Sequence, residues 1–213
     1  MKQLILGSQS RDRKRLLKNL YIPFQVIVSS YAEEKGLDMP PHRLVQYLAS
    51  KKMEDLREKI SLNNEIIADP IAPFVIITAD TMIVFKDKII GKAADKDHAI
   101  RLLTAFSGNT HELLTAVSVY DSESNDSVEF VDSTRVKFSD LSAAQIKGYV
   151  NNSDEWQGRA GAYSLRERAS LFIEKIDGSP SNVIGLPIDK LYPVLLKFGV
   201  DLLAFQTNQL EKT

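Results

Sequence analysis

An acid beside an apolar run is the first candidate for chemistry. In "FVIITADTMIVFKDKIIGK" (74–92) a fully apolar stretch leads into Ala79-Asp80-Thr81. Sheets in α/β proteins place reactive groups at the carboxyl ends of their strands. A buried carboxylate is costly unless it is paired or holds a metal. Asp80 is therefore either the cap of a turn or a working group, and Lys92, just after Gly91, offers a cation downstream.

Near the N-terminus, "LILGSQSRDRKRLLKNL" (4–20) passes from a short apolar run through Gly7 to Ser8 and Ser10 and then to Arg11, Asp12, Arg13, Lys14 and Arg15. Either serine can cap the helix that follows, and free amides at a helix start favour an anion. The cations would add donors. A solvated basic helix start is the alternative, and Asp12 fits it, because an acid in a first turn complements the helix dipole. Lys52 raises a similar choice. It falls on the stripe Leu44, Leu48, Leu56 and Ile60, where a lysine either snorkels to the edge or points into a cleft at an anion. The stretch 158–187 is punctuated by glycine and carries Arg159, Arg166 and Arg168. It suits close backbone approach to a ligand, or an irregular connection.

Other chemistries find little support. The three histidines, His42, His98 and His111, are scattered and make neither a zinc-binding pair nor a hydrolase triad. With no cysteine there are no disulfides and no thiolate sites. A metal would be a hard cation on carboxylates such as Glu33, Glu34 or Asp80.

The elements that must position these residues alternate. Strand-like runs cover 2–6, 23–29, 74–78, 82–85, 112–120, 128–138 and 170–176. Helical patterns cover 11–20, 41–60, 95–106, 140–151 and 188–198. Residues 85–89 suit a hairpin turn, and Gly108 suits a left-handed helix end. The pattern predicts an α/β protein around a mixed sheet.

Composition sets the outer limits. The chain has 213 residues, 44% apolar and 26% charged, with a net charge of -1. That is ordinary for a soluble domain and supplies no basic field for nucleic acid. No apolar run approaches the roughly 20 residues of a membrane span. No signal peptide is visible, so the expected location is cytoplasmic.

Taken in order, these segments resemble the Maf family of nucleoside triphosphate pyrophosphatases over about residues 3–198. The family's Ser-x-Ser-Pro-Arg-Arg opening is here Ser8-Gln9-Ser10-Arg11-Asp12-Arg13. "SSYAEE" puts Glu33 in register with the family's acidic patch, and "VQYLASKKM" places Lys52 at its inward lysine. Ala79-Asp80-Thr81 and "IIGKA" are intact. "FSGNTHELLTAVSV", "AGAYSL" and "GSPSNVIGLPI" are similar to the later signatures, with Asn109 in place of Arg. The intact Ala-Asp-Thr and Ala-Gly-Ala-Tyr point to the dTTP/UTP branch.

The resemblance implies one Maf-like domain over 1–213, with a Maf/ITPase-like two-lobed fold, a curved mixed sheet and a cleft between lobes, often as a homodimer. It implies hydrolysis of a nucleoside triphosphate, dTTP or UTP or a modified nucleotide, to the monophosphate and pyrophosphate, with Mg²⁺ or Mn²⁺. Ser8, Ser10, Arg13, Lys52 and Lys92 then belong to phosphate binding, Glu33 and Asp80 to the metal, and Asp80 to the attacking water. The other reading is a nucleotide-binding regulator linked to cell division and septum formation.

The departures from the family pattern cluster. Asp12 stands where the branch has the first Arg of its opening motif, Arg166 where it has Gln, and Arg159 where it has Lys. With Thr81, the positions of Asp12 and Arg166 are those the branch associates with base selection. The sequence suggests that a cation lost at Asp12 reappears at Arg166, which would invert part of the hydrogen-bond code, since a carboxylate accepts where a guanidinium donates. Damage to the site by drift is the alternative.

Overall fold

The structure is a computed structural model that describes residues 2–32, 34 and 36–205. In chain order it holds β1 (Gln3–Leu6), α1 (Arg11–Asn19), β2 (Gln25–Val26), α2 (Pro41–Leu62), β3 (Phe74–Phe85), β4 (Lys88–Ile90) and α3 (Lys96–Phe106). There follow β5 (Thr110–Asp121), β6 (Ser127–Phe138), α4 (Ala143–Asn151), β7 (Ile173–Asp177), α5 (Pro180–Ile184) and α6 (Ile188–Lys197). The seven strands make one sheet in the order β2-β1-β3-β5-β6-β7, with β4 paired to β3 off this path. β1 runs parallel to β2 and β3, while β4 and β7 pair antiparallel, so the sheet is mixed as the alternating pattern predicts.

Two predicted strands, 74–78 and 82–85, are in fact one. β3 stays extended through Ala79-Asp80-Thr81, and Asp80 lies in its middle, not at its end. The β-branched residues on both sides suit a pleated, half-buried strand, which carries one polar position without breaking. The turn after it holds Lys86 and Asp87 at φ +50° and +62°, the conformation of a two-residue hairpin, with Phe85 opposite Lys88. The predicted strand 23–29 shrinks to Gln25–Val26, and the N-terminal part of 170–176 is a 3₁₀ turn ahead of β7. Gly108 takes φ +65° after α3, as its C-cap position requires.

By compactness the chain divides into two units. The first comprises Met1–Asp80, Thr115–Asp132 and Gly185–Thr213. Its core joins Ile5 and Ile76 of the sheet to Met53, Leu56 and Ile60 of α2, with Ile27 and Ile67. Each fully buried side chain of this size contributes about 1.5–3 kcal/mol. The second comprises Thr81–Leu114 and Ser133–Ile184. Its core is aromatic, with Phe106, Phe138 and Phe172 in edge-to-face contact at centroid distances of 5.8 and 5.0 Å. β3, β5 and β6 each contribute residues to both units. Among the described residues, no helix is long and apolar enough to cross a membrane.

Candidate active site

The site in the first unit begins where β1 stops. Gly7 N donates to Ile77 O at 2.7 Å, the last rung between β1 and β3. A Cβ on Gly7 would collide with the Leu56 methyl and lie 2.7 Å from that of Thr78, so only glycine lets the strand end pass between α2 and β3. The chain then turns into α1. Ser10 is the N-cap, its hydroxyl accepting from Arg13 N at 3.3 Å, and Ser8 Oγ accepts from Ser10 N at 3.2 Å.

Arg13 is buried although it sits in the first turn of α1. Its Nε donates to Gly185 O at 2.6 Å. Its Nη1 donates to Ser8 Oγ at 3.1 Å and to Ala79 O at 2.8 Å. Burial holds the guanidinium below its ordinary value, and the nearby carboxylates of Asp80 and Asp12 oppose that shift.

Helix α2 meets β3 on two rungs. Thr78 Oγ1 donates to Ala49 O at 2.8 Å, and three residues further along the helix Lys52 Nζ donates to Asp80 Oδ1 at 2.5 Å. Thr78 and Asp80 are two apart on the strand and share a face, which is why both address α2. The Lys52 and Asp80 side chains are only 18% and 14% exposed. Lys52 thus turns inward to an acid and does not snorkel outward.

The remaining candidates belong to the second unit. Lys92 is exposed on an isolated β-bridge to Ala160, reinforced by Gly161 N donating to Gly91 O at 3.1 Å. The Ala-Gly-Ala-Tyr stretch has physical reasons for its residues. Gly161 has φ +67°, and a Cβ there would meet Ile83 at 2.5 Å and Phe106 at 3.0 Å. Ala162 is also left-handed, at φ +63°, and fully buried. Tyr163 OH pairs with His111 Nε2 at 2.8 Å inside the aromatic core. Thr81 and Arg166 are half-buried. Arg159 is held by Glu167 through two contacts, at 2.6 and 3.3 Å, so its charge is matched within the loop.

A family model described as Maf-like protein matches residues 3–198. The chain belongs to the Maf family. Among relatives, a dTTP/UTP pyrophosphatase of Acetivibrio thermocellus is 35% identical over 203 residues, covering 95% of this chain and 98% of that protein. A dTTP/UTP pyrophosphatase of Clostridium botulinum (strain Hall) is 36% identical over 205 residues, 95% of this chain and all of that protein. The protein of the same name from Clostridium acetobutylicum is 36% identical over 203 residues, 94% of this chain and all of that protein.

Of the Maf positions singled out in the sequence, Ser8, Ser10, Arg13, Lys52 and Asp80 lie in the first unit, and hydrogen bonds link Ser8 to Ser10 and Arg13, and Lys52 to Asp80. Asp12 is half-buried beside them on α1. Thr81, Lys92 and Arg166 lie in the second unit, and Glu33 falls outside the described residues. The sequence gives no sign of the two backbone carbonyls, Ala79 and Gly185, that orient Arg13, because any residue type could supply them.

Proposed function

We propose that this Maf chain hydrolyses a nucleoside triphosphate to the monophosphate and pyrophosphate. The observation that carries the reading is the shielded Lys52–Asp80 pair, a carboxylate and an ammonium held together beside the capped start of α1. Phosphoryl transfer asks little covalent work of a protein. It needs a positioned acceptor for the proton of water and fixed positive charge for the phosphates. The relatives named dTTP/UTP pyrophosphatase support the same reaction and suggest dTTP and UTP as substrates.

In this reading water attacks the α-phosphorus and Asp80 takes its proton at a carboxylate oxygen. The bond from the α-phosphorus to the bridging oxygen breaks, and pyrophosphate leaves with the electron pair. Lys52 orients the Asp80 carboxylate at rest and turns toward phosphate oxygens when substrate arrives. The Ser8 hydroxyl and the Ser10-capped helix start supply neutral donors near the phosphates. The family resemblance adds Lys92 as a phosphate cation, and Asp12, Thr81 and Arg166 as the residues that read the base. The homodimer comes from that resemblance too.

The family resemblance implies a divalent cation of the Mg²⁺ or Mn²⁺ kind. Such ions take one or two carboxylates and complete their shell with water and substrate phosphates. Asp80 is a carboxylate of that sort, and Glu33 is the second proposed ligand. Among the described residues no group of three His, Cys, Asp or Glu could hold an ion. When bound, the cation would neutralise charge on the phosphates.

Product analysis tests the reading. With dTTP or UTP and Mg²⁺, the expected products are the nucleoside monophosphate and pyrophosphate in equal amounts. Diphosphate and orthophosphate would contradict it.

A further inference from the structure

One side chain joins three separate sequence signatures. The Arg13 guanidinium, buried in the first unit, reaches Ser8 of the opening motif, Ala79 of the Ala-Asp-Thr motif and Gly185 of the C-terminal stretch, the last 172 residues away in sequence. The place it reaches on β3 is particular. Along β1 and just past it, amides donate to carbonyls on one side of the β3 segment, Gln3 N to Pro73 O just before β3 and Gly7 N to Ile77 O within it. The two-residue period of a strand puts Ala79 O next on the same side. β1 has ended there and the chain has turned into α1. Arg13 Nη1 supplies the donor that the missing strand cannot.

The donors so used bear on phosphate binding. A guanidinium grips a phosphate with two parallel N–H groups, from Nε and one Nη or from both Nη nitrogens. Here the one N–H of Nε is committed to Gly185 O, and the two of Nη1 to Ser8 Oγ and Ala79 O. Every forked approach draws on Nε or Nη1, so it would break a bond that orders the protein.

We infer that Arg13 is a positioning residue, which extends the β3 ladder past the end of β1 and so fixes Asp80, and that it does not grip phosphate as a fork, although the family resemblance places it in phosphate binding. The inference rests on the proposed pyrophosphatase reading for the role of Asp80, while the ladder contact stands apart from it.

The test is Arg13→Lys. A lysine keeps the charge and serves a phosphate well, but its three donors leave from one nitrogen, whereas these oxygens are held from two, Nε and Nη1. Three readouts are compared with the parent protein: kcat and KM for dTTP with Mg²⁺, the Kd of a triphosphate with a non-hydrolysable α–β bridge, and amide hydrogen exchange across 78–82. The expected result is a kcat reduced about tenfold or more, a Kd changed by less than about threefold, and faster exchange at 78–82. A Kd raised about tenfold with kcat and exchange unchanged would overturn the inference. If the parent protein turns over no nucleotide, the proposed function fails, and exchange still decides: unaltered protection at 78–82 refutes the ladder role. If Arg13→Lys does not fold, the Arg13 Nε–H resonance of the parent protein decides: unmoved and still protected from exchange when the triphosphate analogue is added, it supports the inference, and shifted or deprotected by the analogue, it refutes it.

Discussion

Lys52 Nζ lies 2.5 Å from Asp80 Oδ1, and both side chains are largely shielded from water. Such a pair is a weak source of stability, because desolvation offsets much of its attraction. In the proposed reaction its value lies in having a cation and an acid ready at one place. Replacing Lys52 with Met keeps the aliphatic stem on the apolar face of α2 and removes the charge. The expected loss in kcat/KM for pyrophosphate release is on the order of 10²-fold. A loss below about tenfold would limit Lys52 to orienting its partner.

Gly7 leaves no room for a side chain between Leu56 and Thr78. Gly7→Ala forces a methyl group into that contact, and overpacking of this kind costs on the order of 1–3 kcal/mol. Urea unfolding should show a lower midpoint with an unchanged slope. An unchanged midpoint would mean that α2 moves away freely.

His111 is buried among Phe106, Phe138 and Tyr163, and burial pushes its pKa down to about 4. The unfolded chain binds the proton near pH 6.5. Between those values the unfolded state holds more protons, so stability falls as pH drops from about 6.5 toward about 4. The contribution of this residue across that window is on the order of 3 kcal/mol. Unfolding at pH 7 and at pH 4.5 should therefore differ more in the parent protein than in His111→Gln. Equal pH dependence would place the acid sensitivity elsewhere.

The family resemblance puts Asp12 and Arg166 where the dTTP/UTP branch has Arg and Gln. If they set base preference, Asp12→Arg combined with Arg166→Gln should raise the ratio of dTTP and UTP turnover to that of other triphosphates by about tenfold, the worth of one charge-assisted hydrogen bond. An unchanged ratio would remove both positions from base selection.

Much of the candidate site is legible in the sequence because residue type and spacing suffice for it. Ser10 as a cap, Asp80 beside an apolar run and Lys52 on a helical stripe need only local periodicity. The direction of Lys52 is not legible, since the acid it faces is 28 residues away. The continuity of β3 is hidden by the polar Asp80-Thr81 step, which looks like a break until strand pairing on its flanks is known. Arg13 looks like one cation in a basic run, because what distinguishes it is contact with carbonyls that no side chain announces. His111 looks isolated, and its partner Tyr163 lies 52 residues on. Local chemistry shows in the chain, while partners set by topology appear only in the fold.

The most direct measurement is pyrophosphate release from dTTP and UTP with Mg²⁺, for the parent protein beside Asp80→Asn. The account predicts turnover in the parent and a loss of roughly 10²–10⁴-fold in the variant, the usual worth of a positioned general base. A folded parent protein that binds nucleotide and releases no pyrophosphate, or an Asp80→Asn variant as active as the parent, would contradict it.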